Sequence, residues 1–347
     1  MNNHLPISDS ATGNRVDSAT IIGSVVVIAL LIVAPLVVYP VFVMKLMCYA
    51  LFAAAFNLLM GYGGALSFGH AAFLGTGAYF AAHASKAWGL DPVLSIIFAV
   101  VVAGLVGAVV GFLAIRRKGI EFSMITLAMG QLIAYIAQQA PFTGGEDGIQ
   151  DVPRGVLFGL IDLNGVTAIY GFVLVLFIVG MFAIWRTINS PFGHVLQAIR
   201  AHEERATSLG YDVARYKLIG FVISALIAGL AGGMKAIAFQ IATLDDIGFH
   251  LSGEVILIAL LGGVGTFFGP LVGAAIVVML ESFLATSDLP ARVLIGAVFI
   301  VCVLVFRRGV VGEIAAYFRT RADRQRQPIG TGATDAHEAV RGVDQRG

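Results

Sequence analysis

Charge is scarce in this chain: only 12% of its 347 residues are Asp, Glu, Lys or Arg, and the net charge is +1. A net charge so near zero carries no message of a nucleic-acid partner or of acidic substrates, and none is expected. So few charges also leave too little polar surface for a water-soluble domain of this size. Cysteine is nearly missing as well. Cys48 and Cys302 lie far apart inside apolar runs, which excludes a disulfide framework and a thiolate metal site. His70, His83, His194, His202 and His250 show no metal-ligand spacing. No G-x-x-x-x-G-K-[ST] stretch occurs, so no P-loop cradles nucleotide phosphates. Catalytic Ser-His-Asp or paired-carboxylate patterns do not stand out either. The reading is a protein without cofactor, metal or chemistry of its own, for which any uphill work needs energy from a partner.

What is present is apolar. Hydrophobic residues make up 58% of the chain, 42 residues are glycine, and mean hydropathy is +0.90. An all-α polytopic membrane protein follows. Runs of spanning length, about twenty residues each, lie near 20–39, 46–62, 66–85, 92–115, 120–139, 164–185, 218–241, 252–264, 266–286 and 290–307. The eighth is short and reads as a partial or re-entrant helix, which is allowed only where protein surrounds the broken backbone. No Asp, Glu, Lys or Arg falls between Leu46 and Ser85, so two spans share that stretch and turn at GYGG, residues 61–64.

Lys and Arg gather on the cytoplasmic side of membrane proteins. Arg116, Arg117 and Lys118 mark one inner loop, Arg186, Arg200, Arg205, Arg215 and Lys217 a second, and Arg307 and Arg308 the last inner boundary. The opposite loops are acidic, with Glu146, Asp147, Asp151 and Asp162 in one and Asp245, Asp246 and Glu254 in another. Ten crossings with both termini cytoplasmic satisfy this pattern. Residues 1–19 then form a polar cytoplasmic start and 20–318 the transmembrane body, with a cytoplasmic loop at 186–217. Residues 319–347 lack apolar periodicity and read as a disordered cytoplasmic tail.

The loop at 190–217 is dense in charge and helix-patterned. Ser190 is a candidate N-cap, Pro191 suits the first helical position, and Gly210 supplies a stop. Phe192, Val195, Leu196, Ile199, Ala206 and Leu209 fall near one face, while Arg200, Glu203, Glu204 and Arg205 populate the rest. This predicts a short amphipathic helix outside the hydrocarbon. It is either a connector lying on lipid headgroups or a docking helix for a soluble partner.

Two glycine-rich stretches, residues 61–79 and 260–275, echo each other in opposite halves of the chain. Gly-interrupted apolar segments in two halves are a trace of transporters built from repeats, although glycines also serve plain helix packing. Gly63, Gly64, Gly262 and Gly263 are the candidate breaks. Asn57, Ser67, His70, Ser123, Thr126 and Gln131 are the polar groups best placed to line a path beside them. Glu121 is expected to pair with Arg117 and Lys118, and Lys235 and Glu281 to reach water from span ends. No carboxylate is clearly central, which argues against an ion-coupled carrier.

The blocks FNLLMGYGGALSFGHAAFLGTGAY, GIEFSMITLAMGQ, TGGEDGI, SPFGHVLQAIRAHEERATSLGYDVARYKL and LSGEVILIALLGGVGTFFGPLVGA occur in this order. Together they closely resemble the LivM-type permease of branched-chain amino acid ABC transporters, over about residues 45–310. The resemblance implies a type II ABC importer-like fold with internal repeats, sitting in a bacterial inner membrane. It implies a pathway for branched-chain amino acids, a second homologous permease, two cytoplasmic ABC ATPases and a periplasmic substrate-binding protein. It also implies that the 190–210 region is the coupling helix, where Gly193, Ala198, Arg200, Glu203, Glu204, Ala206 and Gly210 match the family by position. Glu121 stands where the family usually has an aromatic and Glu146 where a serine is common, and close relatives carry urea or short amides. A stand-alone secondary carrier is the competing class. LSGE, residues 251–254, is similar in letters to the signature of ABC ATPases, but it is expected on the outer side before a span.

Overall fold

The computed structural model describes residues 18–157, 159, 161–284, 296, 309–311 and 313. The polar start, the expected tenth span at 290–307 and the tail at 319–347 lie almost wholly outside the described residues. Within lipid every backbone polar group must find a partner inside the chain, which leaves helices as the solution for a sequence this apolar. Eleven α-helices are described: α1 Ser18–Val33, α2 Pro40–Asn57, α3 Ala71–Ala87, α4 Pro92–Ala114, α5 Ile120–Gln139, α6 Val166–Ile188, α7 Pro191–Ala201, α8 Glu203–Ser208, α9 Val213–Phe239, α10 Phe249–Gly262 and α11 Gly269–Leu284. A hairpin of two short strands, β1 Val156–Leu157 and β2 Ile161–Asp162, decorates the loop before α6.

Local chemistry sets many of the starts. Pro40, Pro92 and Pro191 open α2, α4 and α7, where a missing N–H costs nothing. Asp91 accepts from Val93 N at 3.0 Å, and Ser190 from Gly193 N at 3.2 Å, each satisfying an orphan donor of the first turn. By length and composition α2 with its last turn, α4, α5, α6 and α9 are long and apolar enough to cross a membrane. The helices α1, α3, α10 and α11 are shorter.

The helices α2 and α9 form the centre, each with 72% of its apolar window buried, while α5 has 28%. Small residues let α3, α4 and α9 approach. A Cβ on Gly77 would strike the backbone of Gly229, and one on Gly229 would strike Ala103, so helix packing accounts for these glycines.

Two helices begin part-way along their neighbours. After Asn57 the α2 helix widens into a π-turn, Leu58–Tyr62, and residues 63–70 leave helical geometry before α3 starts at Ala71. The third span was expected from residue 66; five residues of it are connector instead. His70, just before α3, is 3.1 Å through Nε2 from Ser224 Oγ, near the middle of the 27-residue α9. The helix α3 therefore starts deep between other helices. Likewise α10 begins at Phe249, where the expected start was 252, and its Ser252 Oγ accepts from Ala71 N at 3.0 Å. Phe68 and Phe249 pack with ring centroids 6.2 Å apart, so the entries to α3 and α10 lie side by side. Residues 251–254 sit inside α10 rather than before it.

Above α3 and α9, loop pairing closes the end of the bundle. Ile149 and Ala242 exchange backbone hydrogen bonds at 2.9 Å each way. Asp246 accepts from Thr243 N at 3.1 Å and pairs with Lys235. Glu281 pairs with Lys45 at 3.0 Å. Lys235 and Glu281, expected to stretch alone toward water, are instead held in ion pairs between elements.

Candidate functional site

The two glycine-rich stretches meet at the end of α2. Asn57 is 3% exposed and faces the turn between α10 and α11. Its Nδ2 donates to the carbonyl of Thr266 at 2.9 Å, and its Oδ1 accepts from Gly265 N at 2.9 Å. One carboxamide thus satisfies a donor and an acceptor that the 263–268 turn leaves open. Gly263 at φ +119° and Gly265 at φ +81° shape that turn, and Gly262 lies against the backbone of Gly269.

The loop after α6 folds back onto the same place. It is two helices rather than the single one expected, because His202 adopts an extended backbone, φ −151° and ψ 89°, between α7 and α8. Leu196, Ile199 and Ala206 are buried as the periodicity required, whereas Leu209 is 71% exposed, since the break turns it away from the bundle. Gly193 is buried where α7 turns back on α6, and a Cβ there would strike the carbonyls of Thr187 and Ile188. Gly210, at φ +87°, terminates the hairpin in open space. Ala198, Glu204 and Arg205 face outward with Leu209 and form its free surface.

Two charged residues join this hairpin to the bundle. Arg200 donates through Nη1 to the carbonyl of Gly61, in the π-turn that ends α2. Its stem lies over Gly64, which has φ +72° and room for no side chain: a Cβ would come within 2.9 Å of Arg200 Cγ. Glu203 holds Lys118 of the α4–α5 loop at 2.9 Å through one oxygen and Lys217 at the base of α9 at 2.9 Å through the other. Burial pushes the Glu203 carboxyl up, but the hydrogen bonds and charges of Lys217 and Lys118 outweigh it and hold the group below its ordinary value. Lys118 thus bonds to Glu203, while Glu121 pairs with Arg117 alone, at 3.4 Å.

The remaining polar candidates are spread around the connector at 63–70. Ser123 donates to the carbonyl of Leu66 at 2.8 Å, and Thr126 accepts from Phe68 N at 3.3 Å, so α5 hydroxyls satisfy backbone that no helix satisfies. His70 is fully buried among Phe52, Phe56 and Phe73. Ser224 gives its single proton to the carbonyl of Ala55 at 2.5 Å, so the bond to His70 requires the proton on Nε2, and Nδ1 keeps an unpartnered lone pair. Ser67 Oγ is buried without a partner among the described residues. Gln131 lies on the exposed side of α5, away from the others. A cavity of about 410 Å³ beside the connector is lined by Gly63, Gly64 and Ser123 together with Lys118, Leu196 and Lys217.

Sequence reasoning missed the role of Lys118 and Lys217, because their partner is remote in the chain. It also missed a second charged region, beside the middle of α2. There a cavity of about 680 Å³ gathers Tyr49, Lys235, Asp246, Glu254 and Glu281. Among the described residues, Glu254 Oε1 is buried there without a hydrogen-bond partner. Each of these residues taken singly looks like a helix-end charge, and only the fold brings them together.

Five helices long and apolar enough to cross a membrane, among the described residues, mark a multi-pass membrane protein. Residues 41–303 match the family described as "Branched-chain amino acid transport system / permease component", and the chain belongs to it. It is similar to the high-affinity branched-chain amino acid transport system permease protein LivM of Salmonella typhimurium, 26% identical over 281 residues, covering 74% of this chain and 66% of that one. Over 234 residues it is 26% identical to a probable branched-chain amino acid transport permease protein LivH of Methanocaldococcus jannaschii, covering 63% and 71% of the two chains. A 144-residue stretch is 32% identical to the xylose transport system permease protein XylH of Escherichia coli, covering 39% and 35%. The chain thus spans just under two thirds of the LivM relative. No solved structure matches it at a significant level.

Proposed function

We propose that this chain is the membrane-spanning subunit of an ATP-driven importer of branched-chain amino acids, working with a second homologous permease, two ABC ATPases and a substrate-binding protein. The observation that carries this reading is the hairpin α7–α8, joined by Arg200 to the end of α2 and by Glu203 to the α4–α5 loop and α9. A partner pressing on its outward residues Ala198, Glu204 and Arg205 moves three elements of the bundle at once. The hairpin lies in the cytoplasm in this reading, and the gathering of basic residues in its loop supports that side.

The pathway in this reading runs past the interrupted segments, beside Gly63, Gly64, Ser67 and His70 of the connector, Ser123 and Thr126 of α5, and Gly262 and Gly263 of the second turn, while Gln131 stands apart on the exposed side of α5. Alternating access is then a rocking of elements about these breaks. ATP hydrolysis belongs to the partner subunits. The test is uptake of labelled leucine into proteoliposomes containing the chain with and without its ATPases, with isoleucine, valine, urea and acetamide as competitors. Uptake that requires the ATPases and is blocked by isoleucine and valine supports the proposal. Uptake by the chain alone would make it a secondary carrier, and competition by urea or acetamide instead would move the substrate to the amides.

A further inference from the structure

The cavity of about 680 Å³ beside α2 falls in the size range of small-molecule sites, about 300–1,000 Å³. It lies well away from the hairpin. Lys235, on its wall, stands about five turns of α9 beyond Lys217, roughly 27 Å along the helix. The loop that closes the bundle contributes Thr243 and Asp246, and the first turns of α10 contribute Phe249 and Glu254. The cavity thus touches one of the two interrupted helices, the one whose entry lies beside that of α3.

Its charges do not balance. Asp246 takes Lys235, and Glu281 takes Lys45 at 3.0 Å. Among the described residues Glu254 has no ion pair, and its Oε1 is buried with no hydrogen bond. A carboxylate oxygen taken out of water and left unmet is costly, and an ionisable group of this kind within a membrane protein marks the place where a charge arrives. Lys235 offers the opposite sign. An ammonium has three donors, and Asp246 engages one of them. The apolar part of the wall includes Leu251 and Leu257. Asp245 and His250, both exposed, stand at the mouth.

This set matches a small zwitterion with a hydrocarbon side chain, whose ammonium, carboxylate and alkyl group each find a counterpart. Urea and acetamide carry no charge and leave Glu254 unmet. A bare cation meets Glu254 but leaves Lys235 and the apolar wall unused. We infer that this cavity is a binding station on the outer side of the translocation path, where the ammonium of an aliphatic amino acid meets Glu254, its carboxylate meets Lys235, and its side chain lies against Leu251 and Leu257. The inference rests on the importer reading above and narrows its substrate to amino acids over amides. Glu254 is then the residue that sets this choice.

The experiment is binding of radiolabelled leucine to the purified full chain in mild detergent, without ATPases, read by scintillation proximity. Leucine is expected to compete about ten-fold better than isocaproate, which is leucine without its ammonium, and about ten-fold better than leucinamide, whose carboxylate charge is gone; each is the loss of one charge-assisted bond. In Glu254→Gln the advantage over isocaproate falls toward one while the advantage over leucinamide persists. Equal competition by either analogue against the unaltered chain overturns the inference, and that result needs no variant to fold. An advantage over isocaproate that survives in Glu254→Gln overturns it too, as does absence of leucine binding at millimolar concentration. Displacement of leucine by sodium chloride but not by choline chloride would make this a metal-cation site and likewise overturns it. Uptake tests the other reading separately. ATPase-dependent leucine import by a chain that binds leucine and isocaproate equally removes this site and leaves the importer standing, whereas the expected binding with ATPase-independent uptake does the reverse.

Discussion

The side chain of Asn57 closes a ring with the backbone of Gly265, 208 residues away, accepting from its N–H at 2.9 Å while donating to the neighbouring Thr266 carbonyl. The end of α2 and the turn between α10 and α11 are thereby one unit. Leucine in place of Asn57 fits the volume but leaves a buried donor and a buried acceptor unsatisfied, at about 1–3 kcal/mol each. Asn57→Leu is expected to lower the unfolding midpoint in detergent by several degrees. Asn57→Asp, whose carboxylate would set a buried charge against the Thr266 carbonyl, should lower it at least as far. An unchanged midpoint for Asn57→Leu would show that the ring does not hold the turn.

Arg200 supplies the bond from the hairpin to Gly61. Arg200→Ala is expected to reduce ATP-driven uptake at least ten-fold in proteoliposomes while ATP hydrolysis by the partner subunits persists, because the hairpin no longer draws on α2. Arg200→Lys should restore part of the uptake, since an ammonium still reaches a carbonyl but without the guanidinium fork. Normal uptake by Arg200→Ala would remove this residue from the coupling route.

The Glu203 pairs carry a pH dependence whose sign is fixed. The carboxyl is held below its ordinary value in the folded chain, so its contribution is fully present above the ordinary glutamate range. It fades as pH falls through the lowered folded value. Amide exchange of residues 203–208 and of the 116–119 loop should be steady from neutral pH down to the ordinary carboxylate range, after correction for intrinsic rates, and accelerate below it. Glu203→Gln should show the fast exchange at every pH. A profile that is the same in the two proteins would contradict the bridge.

Leu209 is an outward apolar side chain at the end of α8. A Leu209→Cys protein is therefore expected to react readily with an impermeant maleimide. Labelling in inverted vesicles but not in intact cells, and protection once the ATPases are bound, agrees with a cytoplasmic docking surface. Labelling in intact cells would reverse the orientation and end the coupling proposal.

Much of this was legible in the chain. Pro92, Pro191 and Ser190 announce helix starts through short-range chemistry, and the burial of Leu196 and Ile199 follows from spacing alone. The break at His202 was not legible, because nothing local forbids a helix from running through Arg200, Ala201 and Glu203. What breaks it there is long-range: Arg200 reaches Gly61 while Glu203 reaches Lys118 and Lys217. The late start of α3 was hidden for a similar reason. Residues 66–70 are apolar enough to continue a helix, and the hydroxyls that stabilise the extended alternative belong to α5.

That late start bears on how the protein is made. Ala71 finds its acceptor on Ser252, and His70 finds Ser224, residues translated 181 and 154 positions afterwards. Residues 63–65 bond within the π-turn and α5 serves Leu66 and Phe68, so the group that waits for Ser252 is the Ala71 N–H at the first turn of α3. The entry to α3 is therefore completed only after α10 has been made, which ties the order of synthesis to the order of packing.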